Sequence, residues 1–123
     1  MKRTGFTFVE LLVVITIIAI LTGAAVASFG NTNIKSRNAR RLADIETIRS
    51  ALELCRTEAG SYPLSIYTPD NITCDSVVYL TSTPKDPKYV TPDDEYVYVR
   101  SSATSYTISC TLEGGGSCSF SNP

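Results

Sequence analysis

Gly5-Phe6-Thr7-Phe8-Val9-Glu10-Leu11-Leu12 decides how this chain is read, because it joins a short basic stub to the longest uncharged run in the sequence. The nineteen residues Leu11–Phe29 carry no charge, and all 11 Lys/Arg and 12 Asp/Glu lie outside them. As a helix at about 1.5 Å per residue the run reaches about 28 Å, close to the roughly 30 Å hydrocarbon thickness of a bilayer. Averages of 43% apolar and 19% charged residues over 123 positions therefore conceal a split: a hydrophobic segment and a separate polar part share one chain.

Working outward, Met1-Lys2-Arg3-Thr4 precedes the junction. Ala25-Val26-Ala27 fits the small-residue pattern of an ordinary secretory cleavage site, but the apolar stretch is long for such a signal. Glu10 is the only ionisable side chain between Phe6 and Ile34. A carboxylate entering apolar surroundings is costly unless paired, so a partner for Glu10 is expected.

Downstream, Gly30-Asn31-Thr32-Asn33 weakens helix propensity, and a bent or melted stretch near residues 23–33 is expected. The helix then becomes amphipathic: Ile34, Leu42, Ile45, Ile48, Leu52 and Cys55 form one apolar stripe, with Arg49 and Glu53 as an i,i+4 support. Gly60 suits a left-handed cap and Pro63 stops continuation. A helix from about Phe6 to Ala59 would be near 80 Å long at about 1.5 Å per residue. Its second half needs a partner surface, for which Val77–Leu80 and the alternating runs 95–100 and 105–112 are the candidates. Ser101–Thr104 suits a hairpin turn, Tyr106, Ile108, Cys110 and Leu112 share the face toward the helix, and Thr107, Ser109 and Thr111 face solvent.

The expected fold class is α+β, a long N-terminal helix packed in its second half against a small antiparallel sheet. The expected divisions are residues 1–5 as a leader, 6–33 as the hydrophobic helix and 34–123 as a polar head. Within the head come the amphipathic half-helix 34–59, a connecting loop 60–94, a hairpin 95–112 and a tail 113–123.

With no His in the chain, Ser/His/Asp, Cys/His and His-zinc chemistries are excluded within these residues. No two carboxylates stand at a catalytic spacing, so no enzymatic function, catalytic residue, cofactor or metal is expected. The net charge of -1 offers no broad positive field for nucleic acid. Locally, Lys35, Arg37, Arg40 and Arg41 form a basic run and Asp93, Asp94 and Glu95 an acidic one, each either a solvated face or a partner surface. Nucleic-acid contact through the basic run requires that it stay exposed. Cys55, Cys74, Cys110 and Cys118 all follow the apolar run, which points to an oxidising compartment. Three pairings are possible; Cys55 with Cys74 and Cys110 with Cys118 are favoured because each closes a short loop across a turn. Reduced, buried cysteines are one alternative and zinc ligation another, the latter without any close Cys-x-x-Cys spacing to support it.

A basic stub, a Gly, an aromatic and a Glu at fixed spacing before an apolar helix resemble the class III signal of type IV pilins and type II secretion pseudopilins. Further on, Gly60-Ser61-Tyr62-Pro63, then Pro84-Lys85-Asp86-Pro87 and a Tyr-rich hairpin are similar to the major pseudopilin and related short pilins. The resemblance implies a pilin-like fold, cleavage by prepilin peptidase between Gly5 and Phe6, and N-methylation of Phe6. It implies that Glu10 pairs with the terminal amine of Phe6 on a neighbouring subunit during assembly. The partners it implies are other copies of the chain, prepilin peptidase, the pilus or secretion assembly machinery, and the inner membrane before assembly. The fibre would be an extracellular pilus or a periplasmic pseudopilus acting as a secretion piston; a membrane-tethered binding module is a third reading. Gly23 and Ala27 stand where the family often has Pro, and four cysteines are unusual in a pseudopilin, which favours an external pilus. Family calcium binding would fall to Asp86, Asp93, Asp94 and Glu95, for which a role as surface carboxylates is preferred.

Charge placement conflicts with this topology. More basic residues follow the apolar run than precede it, which by the positive-inside rule would put the cysteines in the cytoplasm. Cysteine usage and the class III signal both favour the opposite orientation, which is the one adopted.

Overall fold

The computed structural model describes residues 5–122, with the side chains of Ala27 and Ser28 excepted. Met1–Thr4, within the expected leader 1–5, and Pro123 lie outside the described residues. The chain divides into two compact units, Met1–Lys35 and Ser36–Pro123.

One helix, α1 (Phe8–Ala59), runs through both units without interruption. The melted stretch expected over residues 23–33 does not form, since α1 is continuous there: Gly30 and its Asn/Thr neighbours lower propensity by only a fraction of a kcal/mol to about 1 kcal/mol each, which flanking helix absorbs. In the first unit the large apolar side chains stand open. Leu12 is 48% exposed and Val26 67%, and α1 contains a window long and apolar enough to cross a membrane with none of it buried.

In the second unit α1 buries one stripe. Ile45, Ile48, Leu52 and Cys55 are fully buried, joined by Ala51. Leu42, expected in that stripe, is 44% exposed, and the charged neighbour Arg41 is the buried residue at that turn. Arg49 pairs with Glu46 at 2.8 Å rather than with Glu53. The helix ends where Gly60 takes φ +71° and its N–H reaches the Arg56 carbonyl at 2.8 Å, a left-handed cap that suits a residue without a Cβ.

Two antiparallel sheets follow. Strands β1 (Ile72–Cys74) and β2 (Val77–Leu80) form a short hairpin turned by Asp75 and Ser76, both at positive φ. Strands β3 (Val97–Arg100), β4 (Tyr106–Thr111) and β5 (Ser117–Asn122) form the second sheet in that order. Strand β1 escapes detection in the sequence because three residues are too few to establish alternation. Strand β5 corrects the reading of 113–123 as a tail. Gly114, Gly115 and Gly116, all at positive φ, turn the chain back, and Ser117–Asn122 pair with β4 from Thr111↔Ser117 to Tyr106↔Asn122.

Tyr106, Ile108, Cys110 and Cys118 turn inward to join Ile45, Ile48 and Leu52, with Tyr62, Ile66, Ile72 and Tyr96 completing the core. Fully burying each large apolar side chain contributes about 1.5–3 kcal/mol, so the helix's second half is held by the sheet rather than by its own propensity. Tyr62 meets Tyr106 edge-on at 4.6 Å between centroids. Burial raises the Tyr98 and Tyr106 phenols to about 12. Tyr96 is also raised, by burial and by donating to Asp44 at 2.8 Å.

Candidate functional site

At the N-terminal junction Gly5 and Phe6 precede the helix outside regular secondary structure, and Phe6 is 83% exposed. Thr7 and Glu10 then form a capping box. The Thr7 N–H and hydroxyl donate to Glu10 Oε2 at 2.8 and 2.7 Å, and the Glu10 N–H donates to Thr7 Oγ1 at 3.3 Å. Such a box satisfies helix N–H groups that have no partner within the first turn, and the carboxylate also complements the positive end of the helix dipole. Glu10 therefore has a partner inside its own chain. Thr7 was missed as a functional residue although the Thr-x-x-Glu spacing was readable.

Two members of the basic run on α1, Arg37 and Arg41, are engaged within the chain. Arg41 is 3% exposed, and its guanidinium donates through Nε and Nη2 to both oxygens of Asp86 and through Nη1 to Glu113 Oε1 at 3.1 Å. Arg37 grips Glu113 with two donors at 2.6 Å each, and Lys88 Nζ lies 3.0 Å from Glu113 Oε2. Asn38 links to the backbone of Glu113 in both directions, at 3.0 Å each. One cluster thus fastens α1 to the Pro84–Pro87 loop and to the end of β4. Arg41 holds the Asp86 carboxyl below the usual carboxylate range, and Arg37 does the same for Glu113. Lys35 and Arg40 remain exposed. With Arg37 and Arg41 taken up internally, the condition set for nucleic-acid contact, that the whole run stay exposed, is not met.

Two of the four carboxylates considered for calcium have partners within the chain. Asp86 is taken by Arg41, and Asp94 accepts from the N–H groups of Val90 and Thr91 at 3.0 Å each, capping the short 3-10 turn Pro92–Asp94. Among the described residues no group of three or more His, Cys, Asp or Glu is placed to hold a metal.

The structure joins Cys55 on α1 to Cys74 on β1, and Cys110 to Cys118 directly across β4 and β5, with Cα separations of 5.6 and 5.1 Å. The first bond ties the short hairpin to the helix and the second closes the Gly114–Gly116 turn.

A long helix with an exposed apolar first half and a second half packed on small antiparallel sheets forms a pilin-like α+β arrangement, which follows a Gly-Phe-Thr-x-x-Glu junction. The family model described as the prokaryotic N-terminal methylation motif matches residues 1–26. The prepilin peptidase-dependent protein D of Escherichia coli (strain K12) is similar to this chain, 41% identical over 59 residues that make up 48% of this chain and 40% of that protein. The match thus spans less than half the length of that relative. No solved structure matches the chain.

Proposed function

We propose that this chain is the structural subunit, the major pilin, of an extracellular type IV pilus-like filament. The observation that carries the reading is the apolar first half of α1, from Leu11 to Phe29, whose described large apolar side chains are exposed. In the inner membrane lipid surrounds it. After assembly the same helices from neighbouring copies take the place of lipid, and Gly23, Ala24 and Ala25 permit close approach. Prepilin peptidase cuts between the exposed Gly5 and Phe6 and methylates the new Phe6 amine; the name of the Escherichia coli relative and the motif over residues 1–26 support this step. Glu10 then exchanges its contacts with Thr7 for the Phe6 amine of a neighbour, which sets the stagger between subunits. The assembly machinery extracts the subunits, and the disulfide-bonded heads face the exterior.

The two disulfides favour an external fibre over a periplasmic pseudopilus, since both lie in the small head that an exposed filament must keep folded. Mass spectrometry of the N-terminal peptide in sheared surface material and in membranes of the native cell tests the reading. A methylated Phe6 terminus abundant in the sheared fraction is expected. The same terminus confined to membranes indicates a pseudopilus, and an uncleaved Met1 terminus in both fractions overturns filament assembly. Glu10→Ala is expected to insert normally and fail to assemble.

A further inference from the structure

Most charges of the second unit are paired, but Arg40, Glu58, Asp75, Asp93 and Arg100 form no hydrogen bond or ion pair among the described residues. They gather at two places. Arg100, Asp75 and the rim residue Leu64 line a cleft of about 320 Å³ that also includes Ala59, the last residue of α1. Glu58 directly precedes Ala59, so two acids and one base meet at this end. Asp93 lines a different cleft together with Arg41, the neighbour of the exposed Arg40. Arg41 and Ala59 stand eighteen positions apart on one continuous helix, which sets the two groups about 27 Å apart along it. An ion pair needs about 4 Å, so neither group can neutralise the other within one copy. Arg40 and Glu58 are also eighteen positions apart, about five turns at 3.6 residues per turn, and therefore share one side of α1.

Two features set these charges apart from an ordinary solvated surface. Arg100 ends β3 opposite Tyr106, on the face that carries Tyr98. Its Nε is buried without an acceptor, which leaves the two Nη groups as a planar fork for an incoming carboxylate. An unpaired buried donor is costly, and a carboxylate brought to the same guanidinium offsets part of that cost. Glu58 lies in the last turn of α1, where the helix dipole favours cations and disfavours a carboxylate. A free anion is a poor match for Arg100, because Asp75 and Glu58 repel it. A surface that presents one acid and one base together satisfies both signs, and the other end of a second copy, with Asp93 and Arg40, is such a surface.

We propose that a second copy docks end to end on this one, its Arg40 against Glu58 and Asp75 and its Asp93 against Arg100. The contact is heterologous, so every docked pair leaves one end of each kind free and the arrangement continues in one direction. It deepens the filament reading by naming a surface between the heads, and it rests on that reading for the setting in which copies meet.

Leu64, 82% exposed at the rim of the cleft, is to be replaced by the photo-crosslinking residue p-benzoylphenylalanine in the full chain produced in the native cell. Irradiation is expected to give a dimer joined from position 64 to residues 91–95 of the other copy, mapped by mass spectrometry. Arg40→Glu and Asp93→Arg, both exposed changes, should each lower its yield by on the order of fivefold. Arg40→Glu combined with Glu58→Arg should restore it, and failure of that exchange to do so overturns the pairing. Sheared filaments with a methylated Phe6, in which position 64 joins another segment, another protein or nothing, overturn the docking surface and leave the filament reading standing. The mapped dimer in cells without sheared filaments supports the docking and overturns the filament. Absence of both overturns both.

Discussion

Arg41 and Glu113 are 72 positions apart in the chain and 3.1 Å apart in the structure, joined on a face of α1 from which water is almost wholly excluded at Arg41. The same guanidinium holds Asp86, so one side chain bridges the helix, a long loop and the end of β4.

Arg41→Ala removes that bridge and leaves two carboxylates facing each other around a void. Breaking a buried ion pair on one side is costly, and Arg37 and Lys88 retain part of the compensation at Glu113, so a loss of about 2–4 kcal/mol is expected. Arg40→Ala, on the exposed side of the same turn, should stay within about 0.5 kcal/mol. Urea denaturation of the two variants followed by circular dichroism distinguishes them.

The Asp86 and Glu113 carboxyls are both held below their unfolded values. A depressed carboxyl stabilises the fold above its unfolded pKa and loses that contribution as pH falls toward the folded one. The melting temperature should therefore be flat with respect to these two groups between about pH 5 and 7, and fall on acidification below about pH 4. Glu113→Gln should show a shallower acid decline than the parent.

Alkaline behaviour follows the opposite sign. Tyr98 and Tyr106 remain protonated to about 12 in the folded chain, whereas unfolded tyrosine ionises near pH 10. Stability should decline between those values, and phenolate absorbance from these two rings should emerge near pH 12 or together with unfolding. Loss of stability without any delayed phenolate signal would refute their burial.

Ile48 and Leu42 look equivalent in the helical stripe, but the first is fully buried and the second 44% exposed. Ile48→Ala should cost about 2–5 kcal/mol and Leu42→Ala less than about 1 kcal/mol. Equal losses in thermal melts would contradict the packing.

Thr7→Val keeps the shape of the side chain and deletes the hydroxyl that joins Glu10. Loss of a helix cap costs about 1 kcal/mol, so amide exchange in the first turn of α1, at Glu10 and Leu11, should quicken by on the order of fivefold. Unchanged exchange there would mean that the box does not hold the helix start.

Local information was enough for several features. The junction at Gly5–Glu10, the uncharged run, the Gly60 cap and the alternation in β3 and β4 depend on neighbours within a few residues, and periodicity and turn chemistry record such dependence directly. Thr7 belongs with them, since its partner lies three positions away. The other features rest on distant contacts. Arg41 has no sequence signal that separates it from Arg40, because what selects it for burial is the arrival of Asp86 and Glu113 from the other end of the head. Ser117–Asn122 becomes a strand rather than a tail because the edge of β4 has hydrogen-bonding groups for it to pair with. Sequence alone determined which segments are helix, apolar span and alternating strand; tertiary structure decided which charges are buried and which edge is paired, because those outcomes depend on groups that only folding brings together.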